Sequence, residues 1–165
     1  MSSNELEFKP IDLEKNLDVA IRFREDAFIC SFGTGDKFWQ ENGPKAERYV
    51  EWLKAKLDND PYSAVHVWRS QQIIGQMELG SFKPEPSIGY INLYYIIPEF
   101  RGAGLSHVLD EYAVTYLRSK GHKKALLSVS PSNLRALRYY TRMGWVDIGV
   151  RPGLPEVNLM EKNLI

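Results

Sequence analysis

The chain reads as an α/β protein with helices on both faces of a mixed sheet, and three observations predict it. Ile88 to Ile97 is a run rich in Ile, Tyr and Leu that passes through a glycine-bearing turn into a long amphipathic helix. Ala125 to Val129, just after that helix, is a continuous apolar run of the kind a strand covered on both faces needs. Upstream, Ala64–Trp68 and Ile73–Leu79 are joined by Arg69-Ser70-Gln71-Gln72 and read as a hairpin. The full order is two early helices, an antiparallel meander, then β-α-β-α-β-β, which implies an α/β layered architecture.

Each element has a local cause. Leu6, Phe8 and Ile11 suggest a short first strand, with Asp12 placed to cap the next helix. Leu17, Ala20, Ile21, Arg24, Ala27 and Phe28 recur at helical spacing, and Ser31–Asp36, with two glycines, breaks that helix into a loop. Gly43-Pro44 is a second break, followed by the amphipathic set Ala46, Tyr49, Val50, Leu53 and Leu57, which Asn59-Asp60-Pro61 ends. Pro98 stops the Ile88–Ile97 strand because it offers no N–H to a ladder. Leu105, Val108, Leu109, Tyr112, Ala113, Tyr116 and Leu117 form one apolar stripe, and Gly121 closes that helix in a left-handed cap. A helix over Asn133–Met143 stops at Gly144; strands Trp145–Val150 and Glu156–Met160 follow, joined through Arg151-Pro152-Gly153. The aromatic set Phe32, Phe38, Trp39, Tyr62 and Trp68 is expected in the core and as loop anchors.

Length and charge narrow the function. The 165 residues suggest one domain, 1–165, with no repeat or linker. With 21 basic and 21 acidic residues the formal charge is zero, so no global field attracts nucleic acid or membrane. Arg118, Lys120, His122, Lys123 and Lys124 cluster at a helix end, where cations are favourable without any partner. No run reaches the roughly 18 apolar residues of a membrane span, and Met1–Pro10 lacks a signal-peptide pattern. The single cysteine, Cys30, excludes an internal disulfide and a cysteine-built zinc site; it fits a cytoplasmic setting, and no metal is expected.

The chemistry-bearing stretch is Pro98-Glu99-Phe100-Arg101-Gly102-Ala103-Gly104-Leu105-Ser106. A helix start leaves N–H groups unpaired and carries partial positive charge, glycines admit a ligand to the backbone, and Arg101 adds a full charge. Together these make an anion site suited to phosphate. Neither the nucleotide P-loop nor the G-x-G-x-x-G dinucleotide pattern is present. The stretch resembles the pyrophosphate loop of the GNAT superfamily of acyl-CoA-dependent N-acetyltransferases, with Ser106 where that family prefers Gly or Ala. Asn133, Ala136, Tyr139, Tyr140, Gly144 and Trp145 resemble the family's second signature, in the right order.

The resemblance implies a GNAT fold in which two neighbouring parallel strands, here Ile88–Ile97 and Ala125–Val129, splay apart to admit pantetheine. It implies acetyl transfer from acetyl-CoA to a primary amine by direct attack in a ternary complex. Gly102, Ala103, Gly104, Leu105, Ser106 and His107 are then the pyrophosphate donors, with Arg101 beside them. Ile96 and Ile97 pair through their backbone with pantetheine, and Asn133 contacts the same arm or caps its own helix. Tyr140 is the candidate general acid: a thiol and a phenol have pKa values of about 8.5 and about 10, so a phenol can protonate a departing thiolate. Many family members carry a strand Glu as base, but Tyr90 and Asn92 stand at the matching positions. Tyr90, Asn92 and Tyr94 share a strand face and are expected to line the acceptor groove. Glu78 is the nearest candidate carboxylate, acting through water, binding a cationic substrate, or simply solvated at a strand end; His66 is the alternative base, against a purely structural role for a lone strand histidine. Asp36, in the Ser31–Asp36 loop, is placed toward the acceptor end. The acceptor is a small amine, a polyamine or a peptide amine. A non-catalytic CoA-binding regulatory module is the competing reading, and the C-terminal strands suggest a homodimer.

Overall fold

Among residues 5–165, which a computed structural model describes, seven strands form one mixed sheet. They are β1 (Leu6–Pro10), β2 (Ala64–Arg69), β3 (Gln72–Ser81), β4 (Gly89–Ile96), β5 (Lys124–Val129), β6 (Val146–Arg151) and β7 (Leu154–Asn163). Their order is β1-β2-β3-β4-β5-β7-β6, and β4 and β5 are parallel. The pairs β1–β2, β2–β3, β5–β7 and β6–β7 are antiparallel. Five helices accompany the sheet: α1 (Leu17–Phe32), α2 (Asp36–Asn42), α3 (Glu47–Asn59), α4 (Ser106–Ser119) and α5 (Leu134–Arg142). The observed class is the expected mixed α/β one. The chain divides into two compact units, Met1–Glu78 with Leu93–Arg101, and Leu79–Asn92 with Gly102–Ile165.

In the first unit, α1, α2 and α3 bury Ala20, Phe38, Tyr49 and Leu53 together with Ile11 and Ala64. A fully buried side chain of this size contributes about 1.5–3 kcal/mol, and Phe38 and Leu53 are both 0% exposed. A second cluster joins Phe23 of α1 to Leu93 and Tyr95 of β4, with the Phe23 and Tyr95 rings 4.8 Å apart. Helix α2 has no counterpart in the sequence reading. Its seven residues make too short a repeat to show a stripe, and it is fixed instead by Phe38, edge-on to Tyr49 of α3. Gly33, at φ 79°, closes α1, so the expected Ser31–Asp36 loop shrinks to Gly33–Gly35. Asp12 does not cap α1: its Oδ1 accepts from the amides of Glu14 and Lys15, in a turn ahead of the helix. Of the aromatic set expected in the core and as loop anchors, Tyr62 is not in the core and is 53% exposed.

In the second unit, α4 buries Leu109, Ala113 and Leu117, the stripe read from the sequence. Gly121, at φ 88°, follows it as the left-handed cap. Asn133 caps α5 by accepting from the Ala136 amide at 3.2 Å. Trp145 is buried and donates to Asp110 Oδ1 at 2.9 Å; Lys162 neutralises the same carboxylate at 2.7 Å. The parallel β4–β5 ladder runs for three pairs, from Gly89↔Ala125 to Ile91↔Leu127. Asn92 is the next residue of β4.

Candidate active site

The second unit holds the glycine turn. Gly102 and Gly104 have φ of 78° and 79°, the left-handed region that an L side chain enters only at a cost. A Cβ built on Gly104 meets nothing within 4 Å, so torsion and not crowding within the chain requires glycine there. The amides of Gly102, Ala103, Gly104, Leu105 and His107 donate to no group among the described residues. Helix α4 starts immediately afterwards with no side-chain cap. Five unanswered N–H groups at the positive end of a 14-residue helix form a cradle for an anion.

Helix α5 braces this turn. The Tyr139 hydroxyl donates to the Ser106 carbonyl at 2.5 Å, tying α5 to the first residue of α4. Tyr139 stands in the sequence as a position of the second signature; its bracing role depends on a residue 33 positions away and leaves no local signal. The half-buried Tyr140 packs its ring against Tyr139 and Trp145, with centroids 5.2 and 6.3 Å away. Burial, then the neighbouring Tyr139 and Asp110, push its phenol above the usual tyrosine value. Tyr140 is therefore protonated at neutral pH and able to donate.

Three expected cofactor residues lie in the first unit. The Ile97 amide is committed to the Ile74 carbonyl at 2.9 Å, which removes it as a partner for a ligand. Strand alternation then turns the main chain of Ile96 to the other edge. The Ile96 carbonyl accepts from Arg101 Nε at 2.8 Å. Arg101 also reaches Asp26 through Nη2 at 3.3 Å and lies 5.3 Å from the Tyr95 ring centroid. Its guanidinium thus braces the entry to the turn, and Nη1 is its remaining end.

Glu78 departs most from expectation. It is 0% exposed and not a solvated strand-end group. Its Oε1 accepts from Arg24 Nε at 2.9 Å and Nη2 at 2.6 Å; its Oε2 accepts from the Tyr49 hydroxyl at 2.5 Å and Gln76 Nε2 at 2.9 Å. A buried carboxylate with both oxygens engaged has no lone pair facing an amine, and taking a proton would break its ion pair. The geometry therefore sets Glu78 apart from the base and substrate-binding roles. Burial, followed by Glu78, raises the Tyr49 phenol well above its ordinary value. Burial lowers the His66 imidazole, partly offset by Gln76. Because Gln76 donates through Nε2, its Oε1 accepts from His66 Nε2 at 2.8 Å, leaving Nδ1 buried and unpartnered. Arg24 and Tyr49 stand in the sequence only as members of helical stripes, 54 and 29 positions from Glu78, with nothing to link them to it.

The expected acceptor residues fall into separate places. Asp36 is exposed at the start of α2 in the first unit. In the second unit the Tyr90 hydroxyl lies 2.7 Å from Ser128 Oγ, and Arg151 Nη1 donates to both at 3.0 and 2.9 Å. Arg151 was read only as a turn residue. Asn92 Oδ1 is buried with no partner among the described residues. Tyr94, in the first unit, is half-buried on β4. The basic cluster after α4 is largely engaged: Arg118 donates to the Leu164 carbonyl, His122 Nδ1 lies 2.8 Å from the Ser87 carbonyl, and Lys124 pairs with Glu161 at 3.4 Å. Among the described residues no helix is long and apolar enough to cross a membrane.

Comparison with known proteins agrees with this fold. The model of the acetyltransferase (GNAT) family matches residues 24–145. An uncharacterized N-acetyltransferase of Methanocaldococcus jannaschii is 25% identical over 122 residues, 72% of this chain and 53% of the relative. One from Archaeoglobus fulgidus is 40% identical over 53 residues, 32% of this chain and 36% of the relative. The chain thus spans about half the length of the first relative and about a third of the second. Among solved structures, the PaiA N-acetyltransferase of Thermoplasma acidophilum in complex with coenzyme A is similar at TM-score 0.76 and 16% identity, covering 96% of this chain and 99% of that one. The spermidine N-acetyltransferase of Vibrio cholerae, in complex with CoA and spermine, is similar at TM-score 0.69 and 16% identity, covering 96% and 95%.

Proposed function

The chain belongs to the acetyltransferase (GNAT) family, and from that premise we propose that it moves an acetyl group from acetyl-CoA to a primary amine by direct attack in a ternary complex. One observation carries the reading: the five unanswered amides of Gly102–Leu105 and His107 at the start of α4. They suit a diphosphate, whose oxygens accept several N–H bonds at once. Ser106 belongs to the same turn, and its carbonyl is held by Tyr139. Arg101 acts here mainly as a brace and is the charged side chain proposed for phosphate, and the Ile96 amide pairs with the pantetheine arm. Asn133, already the cap of α5, is the further contact proposed for that arm.

Within this reading Tyr140 donates its proton to the departing thiolate. The raised phenol keeps that proton available across the physiological range. The incoming amine is oriented by Asn92, whose buried Oδ1 accepts one of its N–H bonds. Tyr90, Tyr94 and Asp36 are the further acceptor contacts. The test is thiol release from acetyl-CoA across a panel of small amines, polyamines and peptide amines. Release that depends on the amine supports the proposal.

The burial of Glu78 favours one second reading, a CoA-binding module without transfer, because it removes the nearest strand carboxylate as a base. Calorimetric CoA binding in the micromolar range, with no amine acetylated in the same panel, would select that reading.

A further inference from the structure

We propose that the first unit holds a second ligand site, a pocket between α1, α2 and α3 that takes an α-amino acid with an apolar side chain. The pocket is a solvent-open hollow of about 410 Å³, a volume within the range of small-molecule sites. Its apolar wall is Phe28, Phe38 and Trp52, beside the ring of Tyr49. Two guanidinium groups line it, Arg24 and Arg48, and one carboxylate, Glu41.

Arg24 is pre-organised. Nε and Nη2 are fixed on Glu78, and the guanidinium lies 5.3 Å from the Tyr49 ring centroid and 5.5 Å from that of Trp52. Its Nη1 takes no part in the two bonds to Glu78. A planar guanidinium held from one edge presents its other edge to a carboxylate at little entropic cost. Arg48 donates to the Glu41 main-chain carbonyl at 3.3 Å and is otherwise exposed. The Glu41 carboxylate has no ion pair among the described residues.

The charge balance chooses the ligand. Arg24 is cancelled by buried Glu78, and Arg48 is opposed by Glu41, so the pocket is near neutral but presents both signs. A plain anion meets Glu41, and a plain amine meets the two arginines. A zwitterion answers both: its carboxylate takes the Arg24 and Arg48 edges, its ammonium takes Glu41, and its side chain covers the aromatic wall. This site goes beyond the acetyl-transfer reading and stands on binding alone.

Calorimetry on the full chain tests it with three probes: phenylalanine, 3-phenylpropionate without the ammonium, and 2-phenylethylamine without the carboxylate. Phenylalanine is expected to bind at least about tenfold more tightly than either, the scale of one lost charge-assisted bond. Arg48→Ala is expected to weaken phenylalanine about tenfold and leave 2-phenylethylamine nearly unchanged; Glu41→Gln should weaken phenylalanine while sparing 3-phenylpropionate. Both positions are exposed, and thermal melting of each variant, expected within a few degrees of the parent, checks the fold. No phenylalanine binding, or equal affinity for the three probes, overturns the proposal. Failure of CoA to bind overturns the acetyl-transfer reading and leaves this result standing.

Discussion

The two units carry polar centres of opposite kinds. In the first unit, Glu78 is closed: Arg24, Tyr49 and Gln76 answer both its oxygens inside the core. In the second, the Gly102–His107 turn is open, with five amides that no group among the described residues answers. Both are costly arrangements in isolation, since a buried charge needs partners and an unpaired donor needs an acceptor. The closed centre is completed by the fold itself. The open one is the centre proposed to be completed by a bound diphosphate. A polar group's role can therefore be read from whether its partners are already present.

Breaking the closed centre should produce the largest effect. Arg24→Met strands the Glu78 charge and is expected to cost about 3–5 kcal/mol in urea unfolding, against the ion pair seen at 2.6 Å. Adding Glu78→Gln should recover much of that loss, and a non-recovering double variant would argue against the pair as the cause. Next in size, Tyr140→Phe should lower turnover about a hundredfold with stability and CoA affinity nearly unchanged; steady-state kinetics beside CoA titration will show it, and unchanged turnover removes the acid role. Gly104→Ala attacks the open centre. It should cost about 1–2 kcal/mol of stability for the left-handed backbone and about tenfold in CoA affinity, because the new Cβ projects into space the chain leaves empty.

The smallest effect is a pH dependence. Burial holds the His66 imidazole below the ordinary histidine value, so the unfolded chain binds its proton more readily than the folded one. That group's contribution is fully present above about pH 6.5 and is lost as pH falls toward the lowered folded value. Melting at pH 7 and pH 5.5 should show a wider gap in the parent than in His66→Gln; equal gaps would count against His66.

The open centre was legible in the sequence because its causes are local. Pro98 ends a strand, Gly102 and Gly104 permit the turn, and the α4 stripe begins at once. The seven strands were legible for the same reason, each being a short apolar or alternating run between breakers. The closed centre was not. Glu78 alone looks like any strand-end acid, and nothing near it announces Arg24 or Tyr49 on two other helices. Helix α2 escaped because seven residues show no period and its anchor, Phe38, depends on α1 and α3. Of Ile96 and Ile97, both expected at the pantetheine arm, Ile97 was not separable from its neighbour in the sequence, since only the bond to Ile74 shows which way its amide faces.

The division of the chain has a consequence for how it is made. The polypeptide passes from one unit to the other after Glu78, after Asn92 and again after Arg101. No gene truncation can release either half intact, and a ribosome that has delivered residues up to Glu78 has not yet produced Leu93 and Tyr95, against which Phe23 closes. A nascent fragment ending there would hold Phe23 without the Leu93 and Tyr95 side chains that cover it, so this cluster closes only once β4 has been made.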